Sequence, residues 1–102
     1  MARLSIAEIT AIKESVTAVL GESCPYDLWL FGSRADDTLR GGDIDLFVET
    51  TADIPSRIKA ICHIYAKIIL RLGDRKVDVL LKDCKTEHAP IFDIAKSTGV
   101  RL

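Results

Sequence analysis

The sequence predicts an α/β (α+β) fold, a small mixed sheet of about three or more strands with helices packed on it. Three observations predict it. Two long segments carry apolar residues at helical period. Three short segments are apolar, or alternate carboxylate and apolar residues at strand period. Helical and extended segments then alternate along a chain of 102 residues. With 48% hydrophobic residues the chain can bury one core and is too short for two. Residues 1–102 are therefore read as a single domain.

The first helix is expected from Ser5 to about Leu20. Ser5 and Glu8 have capping-box spacing, so each side chain can satisfy a free backbone N–H at the helix start. Ile9, Ile12, Val16, Val19 and Leu20 fall on one face, and Gly21 is a plausible stop. Asp27 to Phe31 reads as a buried strand ending at Gly32. Residues 33–42 are polar and read as a loop. Asp43 to Glu49 alternates at strand period.

A second helix is expected from about Pro55 to Leu72, since proline suits a first helical turn. Its buried stripe is read as Ile58, Ile61, Cys62, Tyr65, Ile68, Ile69 and Leu72. Lys76 to Leu81 reads as a third strand. Pro90 opens a last helix that carries Ile91, Phe92, Ile94 and Ala95 and stops near Gly99. Trp29 alternates with Leu28 and Leu30, which puts it on the opposite sheet face, with core packing the plainer reading.

Composition narrows the function. The chain has 14 basic and 15 acidic residues, a net charge of -1. A domain that grips long nucleic acid by its backbone usually carries a clear basic excess, so this chain could instead bind a nucleotide, or take its basic surface from a partner. Cys24, Cys62 and Cys84 are far apart, form no C-x-x-C pair and, with His63 and His88, give no zinc-site spacing. No apolar run is long enough to span a bilayer, and the N-terminus lacks signal-peptide features, so a cytoplasmic protein is expected.

The carboxylates carry the chemistry. Successive strand side chains point to opposite faces, so Asp43 and Asp45 share one face, and Ile44, Leu46 and Val48 the other. The third strand repeats this with Asp78 opposed to Val77, Val79 and Leu81. If the two strands are neighbours, three carboxylates meet on one face. That set suits a hard, oxygen-seeking cation such as Mg²⁺, and a pair of such ions can activate a hydroxyl and stabilise a leaving pyrophosphate. Solvated aspartates at strand ends are the alternative reading.

Gly32-Ser33 follows the first strand directly. A tight turn, a Ser hydroxyl and free N–H groups suit a phosphate, although a plain N-capped turn has the same composition. Arg34 and Arg40 could pair with phosphates, stay solvated, or pair with Asp36 and Asp37.

The string Leu-Phe-Gly-Ser-Arg-Ala followed by Gly-Gly-Asp-Ile-Asp-Leu-Phe-Val resembles the signature of the polymerase β-like nucleotidyltransferases, with Lys-Val-Asp-Val-Leu-Leu supplying a later carboxylate. The resemblance spans about residues 28 to 81, and the chain end is similar to the ends of small bacterial members. Its length is that expected of a minimal member, the kind often paired with a HEPN-domain toxin. The resemblance implies a polymerase β-like nucleotidyltransferase core that uses Mg²⁺, with two ions expected, to transfer AMP from ATP to a toxin tyrosine, the chain acting as antitoxin. It implies that Asp43 and Asp45 hold the metal and that Asp78 completes the site. Gly32 and Ser33 would seat the triphosphate, with Arg34 beside it.

Two positions depart from the usual pattern: Asp37 stands where many members have Gly, and Gly42 where many have Ser. They motivate a second reading, a non-catalytic antitoxin with a vestigial site. A third is the catalytic subunit of a small-molecule or RNA nucleotidyltransferase. The sequence leaves open the nucleotide, the number of units added, the acceptor and the oligomeric state.

Overall fold

In a computed structural model, residues 4–31, 44–73 and 76–102 are described. Helix α1 spans Ile6–Leu20, strand β1 Asp27–Phe31, β2 Ile44–Glu49, helix α2 Arg57–Leu72, β3 Val77–Lys82, α3 Pro90–Thr98 and β4 Val100–Arg101. The strands form one mixed sheet in the order β3-β2-β1-β4. β1 is antiparallel to both β2 and β4, whereas β2 and β3 are parallel and joined by the α2 crossover.

Local chemistry explains the helix boundaries. At α1 the capping box is complete: Glu8 N–H donates to Ser5 Oγ at 3.1 Å and Ser5 N–H to Glu8 Oε1 at 2.9 Å. Gly21 ends α1 at φ 102° and Gly73 ends α2 at φ 84°, a backbone region in which a Cβ is strained. Pro90 opens α3 as expected. The start of α2 differs from expectation. Ser56 is its N-cap, so Pro55 stands outside the helix.

The first face of the sheet carries the main core. Leu28, Leu30, Ile44, Leu46, Val48, Val77 and Leu81 pack against Ile12 and Val16 of α1 and Ala60, Ile64 and Ile68 of α2. The expected α1 face is correct. The expected α2 stripe holds in part: Ile68 is buried and Ile61, Ile69 and Leu72 pack against the core, whereas Ile58 is 73% exposed, Tyr65 is 43% exposed and Cys62 is also exposed. Apolar residues lie on two flanks of α2, and small Ala60 lets the other flank approach the sheet.

The second face is not simply polar. Phe47 is fully buried there with Phe92 and Ala95 of α3, and Trp29, Phe31 and Leu80 pack against them. Trp29 stacks on Phe47 (5.5 Å between centroids) and Phe47 on Phe92 (5.2 Å), so Trp29 is a packing residue on the face its alternation indicates. Lys96 Nζ sits 5.3 Å from the Trp29 ring centre and 2.9 Å from Glu49. At the end of α3, Gly99 is held so close to β1 that a Cβ would meet the Ala95 and Leu30 carbonyl oxygens at 2.4 and 2.9 Å. That contact lets the chain turn directly into β4, a strand not anticipated from the sequence.

Candidate functional site

β2 and β3 run parallel with Asp45 opposite Asp78, so the two carboxylates are direct neighbours on the sheet face that also carries Phe47. Neighbouring strands lie about 4.8 Å apart. The pairing follows from strand period alone once the strands are adjacent. Ile44 and Val77, one residue earlier, point the other way into the core and lock the register, because a one-residue slip would turn the apolar set of the slipped strand out of the core. Asp45 is half-buried and Asp78 is exposed.

Phe31 is the register partner of Asp45. The end of β1 and the start of β2 therefore lie at the same end of the sheet as the two aspartates. Asp43, Gly32, Ser33 and Arg34 lie outside the described residues. Among the described residues no group of three or more His, Cys, Asp or Glu side chains is arranged to hold a metal ion. The structure thus brings together two of the expected residues, Asp45 and Asp78. As a donor set they offer only hard carboxylate oxygens, which fit Mg²⁺ better than a soft metal.

The opposite end of the sheet holds a second polar cluster that the sequence reading passed over. Asp83, only 2% exposed, follows β3 directly. Its Oδ2 accepts from Ile54 N–H at 3.0 Å, and its Oδ1 accepts from Lys85 N–H at 3.0 Å and from Thr86 Oγ1 at 2.8 Å. Burial pushes the Asp83 carboxyl up, but the bonds from Thr86, Ile54 and Lys85, with the Lys85 charge, outweigh it and hold the pKa below its ordinary 3.8. The spacing Asp-x-x-Thr was the available signal, since Asp and Thr side chains bond their own turn backbones.

A cleft of about 530 Å³ lies beside this cluster, lined by Arg57, Lys85 and Phe92 among others. Its cations are engaged: Arg57 donates to the Leu81 carbonyl and to Thr86 Oγ1, both at 3.3 Å, and Lys85 pairs with Asp53 at 2.6 Å. The cluster is a clamp that joins the ends of β2 and β3. Asp83→Ala is expected to cost about 1–3 kcal/mol at pH 7, because Ile54 and Lys85 N–H lose their buried acceptor. The contribution needs the ionised carboxylate. It is complete above the unfolded-state pKa and fades as pH falls below 3.8 through the lower folded value. Urea unfolding should therefore show the mutant deficit at full size near neutral pH and shrinking as the pH falls below 3.8.

The family model described as "Nucleotidyltransferase domain" matches residues 10–99. A crystal structure from Shewanella oneidensis superposes with a TM-score of 0.62 at 17% identity, covering 96% of this chain and 70% of that one. A mutant of the toxin–antitoxin complex MntA-HpeT superposes with a TM-score of 0.60 at 24% identity, covering 95% of this chain and 71% of the other. These likenesses extend the shared fold over nearly the whole chain. A search of curated protein sequences found no significant match.

Proposed function

The chain belongs to the nucleotidyltransferase domain family, and from that membership we propose that it transfers AMP from ATP to a hydroxyl, a tyrosine, of a HEPN-domain toxin and so acts as its antitoxin. The observation that carries this reading is the Asp45–Asp78 register. Two carboxylates from distant parts of the sequence meet on one sheet face, at the end where β1 leaves the sheet and β2 enters it. The likeness to one member of a toxin–antitoxin complex supports the choice of acceptor. A cytoplasmic setting accords with this. Among the described residues no helix is long and apolar enough to cross a membrane.

In this reading Asp43 and Asp45 hold Mg²⁺ and Asp78 completes the site. Gly32, Ser33 and Arg34 receive the triphosphate. Two bound Mg²⁺ ions would neutralise phosphate charge and favour the ionised acceptor. The acceptor oxygen forms a bond to the α-phosphorus as the α–β phosphoanhydride bond breaks, and pyrophosphate departs. In this reading Asp78, which is more exposed than Asp45, takes the hydroxyl proton.

The test is transfer from α-³²P-ATP to the co-purified HEPN partner. Label is expected on the partner with Mg²⁺ and absent with EDTA, and a tyrosine-to-phenylalanine partner should stay unlabelled. Toxin suppression without any label transfer would point instead to occlusion by a non-catalytic chain.

A further inference from the structure

Among the described residues β3 is an edge strand with backbone groups to spare. Ile44 N–H donates to the Lys76 carbonyl at 2.8 Å and Thr50 N–H to the Lys82 carbonyl at 2.9 Å. The even-numbered positions of β3 thus turn their backbone towards β2, and Val77, Val79 and Leu81 turn theirs outwards. Of these outward groups, the Leu81 carbonyl has a contact, a 3.3 Å bond from Arg57. An open edge of this kind is a template for another strand.

The helix above the edge matches it. α2 lies over β3 and packs on α1. Its Lys67, Leu70 and Arg71 face α1, where they line a shallow cleft with Ser15 and Ala18. Ile58, Cys62 and Tyr65 stand on the flank across the buried Ala60–Ile64–Ile68 stripe, away from α1 and towards the β3 edge. An open strand edge and an exposed apolar flank therefore border one surface.

We propose that this surface binds a second copy of the chain, β3 against β3 and antiparallel. Charge selects the register. Two-fold pairing centred on Asp78 sets Asp78 against Asp78. Pairing centred on Val79 sets Lys76 against Lys82. Pairing centred on Leu80 sets Asp78 against Lys82 twice, with Leu80 against Leu80 and Val79 against Leu81. In that register the charged and leucine pairs fall at the non-hydrogen-bonded positions, where side chains approach most closely. Neither Asp78 nor Lys82 makes an ion pair among the described residues. Four residues apart on one strand, they are about 13 Å from each other and cannot pair within a chain. The two-fold axis brings each to its complement, and the outer flanks of the two α2 helices border it on the opposite face.

Sedimentation velocity of the purified chain in EDTA, at tens of micromolar, tests this without metal competing for Asp78. A dimer is expected. Lys82→Glu and Asp78→Lys should each raise its dissociation constant roughly tenfold or more. The double swap should restore assembly, with circular dichroism confirming that each variant is folded. A monomeric wild type, or a dimer indifferent to both single swaps, overturns the proposal. Single swaps that weaken the dimer without rescue by the double swap overturn the register and with it the assigned interface.

Discussion

Asp78→Asn is expected to lower AMP transfer by about a hundredfold or more while leaving the fold as stable as before. Partners that merely orient a metal ligand typically cost about 10–100-fold when lost, so a group that the proposed mechanism puts in contact with the reacting centre should reach at least the upper end. Asp78 is exposed, and a surface substitution of this kind usually changes stability by no more than about 0.5 kcal/mol. Loss of transfer with an unchanged melting curve therefore reports on chemistry and not on folding. Asp45→Asn should lose activity to the same degree. The double variant should be little worse than either single one, because groups that act as a unit are not additive. Transfer assayed with the partner toxin, alongside thermal unfolding, checks all three. If Asp78→Asn labels the partner at the wild-type rate, the site assignment fails.

The largest expected effect on stability comes from the same strand. Phe47→Ala should cost about 3–5 kcal/mol, the usual range for a fully buried aromatic residue. Domains of this size are stable by only about 5–15 kcal/mol, so the melting temperature should fall by more than about 10 °C. Phe47 is stacked between Trp29 and Phe92 and seats α3 on the sheet. Trp29, the single tryptophan, gives a direct readout: its emission should shift to the red as Phe47 is removed. A destabilisation below about 1 kcal/mol would mean that α3 does not pack as described.

Some of this was legible in the residues and some was not. Strand period put Asp45 and Asp78 opposite the apolar side chains of their strands, and that reading needed only adjacency to become a site. The α1 capping box was equally local. The α2 face was ambiguous because Ile58, Cys62 and Tyr65 offer an apolar flank beside the one that is buried. Helical period fixes that a stripe exists and does not choose between two. β4 could not be read at all: two residues have no period, and they are a strand only because β1 offers them hydrogen-bonding partners. Phe47 broke the alternation of β2, and its meaning depended on α3, more than 40 residues downstream.

The parallel pairing of β2 and β3 also bears on when the site comes into being. A parallel neighbour cannot be reached by a tight turn, so the whole α2 crossover stands in the chain between Asp45 and Asp78. Such non-local pairings close late, because loop-closure entropy is met before their contacts are gained. A chain emerging from the ribosome carries one aspartate long before its mate is in place. On the proposed activity, a chain whose β3 has not yet paired with β2 lacks the assembled carboxylate pair and is expected to transfer no AMP.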